Sequence, residues 1–131
     1  MIYLDSSALL KLVHEEHEST ALTRWLWDRR DTPAISSQLA KVEVLRACRR
    51  IDASALPAAL ALLAGLDLVP LSTDIIDAAA AIGTPELRSL DAIHLASALA
   101  VGPDVAAFVA YDRRLAAAAA GAGLDVAAPR A

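Results

Sequence analysis

The chain has 131 residues, 56% of them hydrophobic and 4% aromatic, a length that fits one domain able to bury roughly two-thirds of the surface its unfolded form exposes. Its net charge of −4, from 16 acidic and 12 basic residues, excludes a generally basic surface that coats nucleic acid. Alanine dominates the apolar content, and the longest unbroken apolar stretch, residues 55–66, contains Pro57 and Gly65 and falls short of the about 20 residues that span a bilayer, which excludes a membrane-spanning helix.

Short β-rich runs alternate along the chain with helical patterns. A strand at 2–4 precedes helices within 7–30. A strand at 34–36 precedes helices at 37–50 and 54–66, and a strand at 68–71 precedes a helix at 73–82. A helix over about 90–100, a strand at 105–110, a helix at 112–122 and a short strand at 125–127 complete the series. Strands separated by helices return parallel, and parallel strands covered on both faces read as continuous apolar runs. The pattern therefore predicts an α/β fold, a three-layer α/β/α sandwich around a parallel sheet of four to five strands. Turns are expected at 31–33, 83–85 and 102–104, and Gly121 is expected to end the last long helix. None of these breaks has the length of a linker, so a single domain over 1–131 is expected. Asp5 interrupts the apolar start after four residues, which argues against a cleavable leader and for residence in the cytoplasm. The lone Cys48 can form no internal disulfide and fits a small core residue.

Four acids stand where a solvated charge is not expected: Asp5 after Met1-Ile2-Tyr3-Leu4, Glu43 within Val42-Glu43-Val44-Leu45, Asp91 within Leu90-Asp91-Ala92-Ile93, and Asp112 after Val109-Ala110-Tyr111. Setting them aside leaves 12 acids (16 − 4) against 12 bases, so the deficit of charge is what bound divalent ions would neutralise. In open parallel sheets, sites form beyond the carboxyl ends of strands where the strand order reverses. Asp5 and Asp112 fall at such ends, and Glu43 and Asp91 lie on helices able to lean over the same edge. Each acid also has a simpler reading. Asp5 and Asp112 can cap helices, Asp91 can favour a helix N-terminus, and Glu43 can pair with Arg46 on the helix surface. Their common topological position favours one site for a hard divalent cation.

Other candidates carry less. His14 and His17 lie three residues apart with no third ligand evident, unlike the four-residue spacing of a zinc-protease helix. His94 shares a helix face with Asp91 and can reach the site, but reads first as a packed or partly exposed histidine. Arg46, Arg113 and Arg114 lie near enough to the acids in sequence to contact a phosphate, but read first as solvated. Trp25 and Trp27 point to nearly opposite sides of their helix, so one of them is expected at the surface unless another chain covers it.

The runs Ile2-Tyr3-Leu4-Asp5-Ser6-Ser7-Ala8-Leu9-Leu10-Lys11-Leu12, Val42-Glu43-Val44-Leu45-Arg46-Ala47, Leu90-Asp91-Ala92-Ile93-His94-Leu95-Ala96 and Tyr111-Asp112-Arg113-Arg114-Leu115 together resemble the motifs of PIN-domain ribonucleases, and more narrowly those of VapC-type toxins of toxin–antitoxin pairs. The resemblance spans essentially the whole chain, with the motifs in the family's order. It implies an endoribonuclease dependent on Mg²⁺, or Mn²⁺ as a substitute, that leaves 5′-phosphate and 3′-hydroxyl ends. Asp5 and Asp112 would be principal ligands, Asp91 a direct or water-mediated ligand, and Glu43 a ligand or orienter of a metal-bound water. Also implied are an RNA substrate, a homodimer and a small antitoxin partner whose C-terminal segment occupies the active groove. The helices around 22–27 and 56–66 offer association surfaces. One position departs from the family's pattern: Ala110 stands where a Thr or Ser usually helps order the last acid or a water. Two other readings remain. The first is an aspartyl phosphotransferase or phosphatase with Asp5 as nucleophile, weakened by Ser7 where such enzymes place a second Asp; the other is a catalytically silent α/β interaction module.

Overall fold

A computed structural model describes residues 1–130. Five strands, β1 (Ile2–Leu4), β2 (Ala34–Ser37), β3 (Asp67–Val69), β4 (Ala107–Val109) and β5 (Val126–Ala127), form one all-parallel sheet in the order β3-β2-β1-β4-β5. The helices are α1 (Ser6–Lys11), α2 (Ser19–Trp27), α3 (Gln38–Ile51), α4 (Leu56–Ala64), α5 (Thr73–Ala81), α6 (Ser89–Val101) and α7 (Arg113–Gly121).

Alternation along β1 divides the core into two layers, because successive side chains on a strand point to opposite faces. Ile2 and Leu4 pack with Leu9, Leu22, Val44 and Leu63 from α1 to α4. Tyr3 packs with Ile35, Leu95, Phe108 and Leu115 on the side of α6 and α7. Both faces of the sheet are covered, as the unbroken apolar strands require, so the three-layer arrangement is the one expected.

Element limits shift for local reasons. Pro70 has no N–H to extend a ladder, so β3 stops at Val69 rather than reaching Leu71. The expected helix over 54–66 is split into a 3₁₀ turn (Ala53–Ala55), capped by Asp52, and α4, whose first turn accommodates Pro57. Val105 donates to the Gly102 carbonyl across a second 3₁₀ turn (Gly102–Asp104), which delays β4 to Ala107. The last long helix ends at Gly121, as expected, but the left-handed backbone comes two residues later, at Gly123 with φ 94°. Cys48 is free and buried. Among the described residues no helix is long and apolar enough to cross a membrane.

Candidate active site

From β1 the chain order runs to β2 and β3 on one side and to β4 and β5 on the other, so the strand order reverses between β1 and β4. Asp5 and Asp112 flank that point. The Asp5 N–H donates to the Val109 carbonyl at 3.2 Å, tying the two strand ends together. All four acids line one cleft of about 530 Å³, with Glu43 reaching it from α3 and Asp91 from the first turn of α6. A comparably sized hollow of about 580 Å³, lined from α5 to α6, carries no acid.

Asp5 and Glu43 are held by dense local bonding. Asp5 is 4% exposed and caps α1, its Oδ1 accepting from the Ala8 N–H at 2.9 Å and the Ser7 hydroxyl at 2.8 Å. Oδ2 makes no hydrogen bond to the described residues. Burial pushes the Asp5 carboxyl above its ordinary range despite these two donors, and the nearby charge of Asp91 adds to the shift. Glu43 does not form the surface pair with Arg46. It turns inward, where its Oε1 accepts from the Ser6 hydroxyl at 2.5 Å and pairs with His94 Nε2 at 2.8 Å. Burial works against the Glu43 carboxylate, but the bonds from His94 and Ser6 outweigh it and hold the group below its ordinary range. Mutual repulsion thus raises Asp5 further but does not govern Glu43, contrary to the simple expectation for clustered acids.

His94 is the main side chain at this site that the sequence reading left at the margin. It is 1% exposed, and its Nδ1 lies 2.8 Å from the Tyr3 hydroxyl. Tyr3 is fully buried and stacks on Phe108 with centroids 5.1 Å apart, and burial drives its phenol well above the ordinary range, so it stays protonated. The imidazole lies between the Tyr3 hydroxyl at Nδ1 and, at Nε2, the Glu43 carboxylate and the Ser6 oxygen, the last at 3.0 Å. Tyr3 from β1, Ser6 from α1, Glu43 from α3 and His94 from α6 are thereby joined across both helical layers. The three-residue step from Asp91 to His94 on α6 was the available signal.

Asp91 and Asp112 are held differently. Arg88 Nε donates to Asp91 Oδ2 at 2.9 Å, and its guanidinium approaches Asp112 Oδ2 at 3.7 Å. Arg88 is 67% exposed, Asp91 14% and Asp112 39% by side chain. Asp112 Oδ1 accepts from the Arg114 and Leu115 N–H groups, both at 3.0 Å, so it is a cap as well as a cleft residue. Those bonds order one oxygen without any hydroxyl at position 110, where Ala110 is fully buried. Arg88 lies three residues before Asp91, the same helical step read backwards.

The donor set fits a hard, hydrated cation, since every candidate ligand is a carboxylate and Mg²⁺ keeps several of its waters. Among the described residues no three acidic, His or Cys side chains are drawn tightly enough together to cage an ion by themselves. Glu43 is turned toward Ser6 and His94, while Arg88 spans the outer pair.

A PIN domain family model matches residues 2–121. The chain belongs to the PIN-domain family. Within this family, the chain is 47% identical to ribonuclease VapC35 of Mycobacterium tuberculosis over 131 residues, covering 98% of this chain and 97% of the relative. It is 45% identical to ribonuclease VapC46 of the same organism over 128 residues, with 98% and 97% covered. The fold matches a crystal structure of M. tuberculosis VapC20, described as a sarcin-ricin loop cleaving toxin, with a TM-score of 0.77 at 20% identity, covering 98% of this chain and all of the other. The PIN domain is thus of the VapC type in sequence as well as in architecture.

Proposed function

We propose that this PIN domain is a Mg²⁺- or Mn²⁺-dependent endoribonuclease and the toxin of a toxin–antitoxin pair, acting in the cytoplasm as a single domain. The observation that carries this reading is the gathering of Asp5, Glu43, Asp91 and Asp112 from four elements into one cleft at the switch point of the sheet. In this reading Asp5 and Asp112 hold the metal, Asp91 binds it directly or through water, and Glu43 orients a water. When bound, the ion supplies an activated water for attack on an RNA phosphodiester and positive charge for the departing oxygen. The protein's own part is positional. Ser6 and His94 occupy Oε1 of Glu43, leaving Oε2 to accept a hydrogen bond from a water in the cleft. Asp5 Oδ1 is fixed by Ala8 and Ser7, so Oδ2 is the oxygen that would hold the metal. The chemistry yields 5′-phosphate and 3′-hydroxyl ends.

A cognate antitoxin and a homodimer belong to the same proposal. The helices expected to associate are partly consumed by the core, with Leu22 and Leu63 buried. Trp27 at 65% exposure and Leu60 at 52% remain as apolar anchors for a second chain. The phosphotransferase reading loses ground because Ser7 spends its hydroxyl on Asp5 instead of serving as a second acid.

Incubating purified protein with total RNA in Mg²⁺, Mn²⁺ or EDTA, beside Asp5→Asn and Asp91→Asn, tests the proposal. Cleavage is expected with either metal, none in EDTA, and none from either variant. Equal cleavage by wild type and variants would attribute the activity to a contaminant.

A further inference from the structure

The face of α3 that carries Glu43 also carries Arg46 and Arg50, because residues three and four apart stack on one side of a helix. Both arginines are exposed and both line the acidic cleft. Among the described residues neither forms an ion pair, although four carboxylates share that cleft. Several other arginines are committed elsewhere. Arg88 bonds to Asp91, Arg130 pairs with Glu18, and Arg29 and Arg30 lie over the rings of Trp25 and Trp27. Glu43, the acid nearest to Arg46 on this face, is occupied by Ser6 and His94.

The cleft thus has an acidic floor and a basic wall that do not neutralise each other. The two residues stand about one helical turn apart, about 6 Å along the α3 axis, with Arg50 one step further along the helix from Glu43 than Arg46. That is the geometry of a support for a run of anions extending from the metal site. The cleft offers little for reading bases: its one aromatic lining residue is the buried His94, and no side-chain amide lines it. Recognition of single-stranded RNA by base stacking needs exposed aromatic faces, whereas a cationic wall follows the backbone.

We propose that Arg46 and Arg50 bind two successive backbone phosphates of an unpaired RNA strand on one side of the scissile phosphate. The proposal rests on the nuclease reading above, and it makes this part of substrate binding electrostatic and tolerant of sequence. Arg49 is the internal control, since it is exposed on the same helix but does not line the cleft.

The test is fluorescence anisotropy with a labelled single-stranded RNA in Ca²⁺, its intactness checked on a gel, over a salt series and with two unrelated sequences. Arg46→Gln and Arg50→Gln should each weaken binding several-fold with both sequences. Each should lower the slope of log K against log salt by about 0.7, the value for one lost phosphate contact on a single strand, and the double variant by about twice that. Arg49→Gln should leave affinity and slope unchanged. Cleft variants indistinguishable from Arg49→Gln would overturn the proposal while wild-type cleavage of RNA left the nuclease reading standing. An effect confined to one RNA sequence would replace phosphate contact by base readout and overturn it as well. If the wild type neither binds nor cleaves RNA, both readings fall together.

Discussion

The inner and outer halves of the acidic cleft are built in opposite ways. Asp5 and Glu43 form the inner half, each with one oxygen held by two short hydrogen bonds, Asp5 by Ser7 and Ala8 of its own helix and Glu43 by Ser6 and His94, through which it connects to the buried Tyr3. Asp91 and Asp112 form the outer half and share a largely exposed arginine, at 2.9 and 3.7 Å. A hydrogen bond made inside a protein is costly to leave half-made, whereas an exposed ion pair contributes little and is screened by salt. The inner half is therefore preorganised; in the outer half Asp112 keeps one oxygen in its helix cap, and it is the exposed Arg88 bridge that is free to yield to an ion and a phosphate.

The sharpest way to break this contrast is to remove the support of the inner half. His94→Ala leaves Glu43 without its buried donor, and loss of such outer-sphere support typically costs about 10–100-fold in metal affinity or activity. Mn²⁺ titration by calorimetry should show the loss independently of turnover, with partial rescue by His94→Gln, which restores a donor. Unchanged Mn²⁺ affinity in His94→Ala would mean that the histidine is only packing.

A second test separates the two inner acids by pH. Because folding raises the Asp5 carboxyl, the folded protein binds a proton there more tightly than the unfolded chain does, so ionisation of Asp5 costs stability as pH rises past the ordinary carboxylate range. Glu43 is lowered, so its contribution is present above that range and is lost as pH falls through its depressed value. In EDTA at neutral pH, thermal melts should show Asp5→Asn more stable than wild type and Glu43→Gln less stable. The Asp5→Asn gain should vanish in acid, and adding Mn²⁺ should stabilise wild type more than Asp5→Asn. Melting shifts of the same sign for both variants would contradict the division.

The smallest effect belongs to the outer half. Arg88→Ala should change stability in EDTA by less than about 1 kcal/mol, as expected for an exposed pair, measured by urea denaturation. A loss of several kcal/mol would show that Arg88 is as fixed as His94.

Much of the fold was legible because apolar periodicity and chain alternation act locally. The unbroken apolar runs at β1 and β4, each meeting an acid that caps the next helix, announced parallel strands and placed Asp5 and Asp112 at their carboxyl ends. The four motifs identified all four acids of the cleft. His94 and Arg88 were less legible. Each stands one helical step from Asp91, but the sequence does not say whether such a residue points to solvent, to the core or to the acids. Only the packing of α6 against the sheet buries His94 beside Tyr3.

The sequence by itself determined the three-layer plan, the family and the identity of the acids, because those follow from side-chain pattern and motif. The tertiary structure alone decided how the acids differ. Whether a carboxylate is fixed or free depends on donors that arrive from distant elements: Ser6 lies 37 residues from Glu43, and His94 lies 51. Burial and hydrogen bonding across such separations exist only after the chain has closed on itself, so two acids that each interrupt an apolar run, Asp5 and Glu43, acquire opposite pKa shifts.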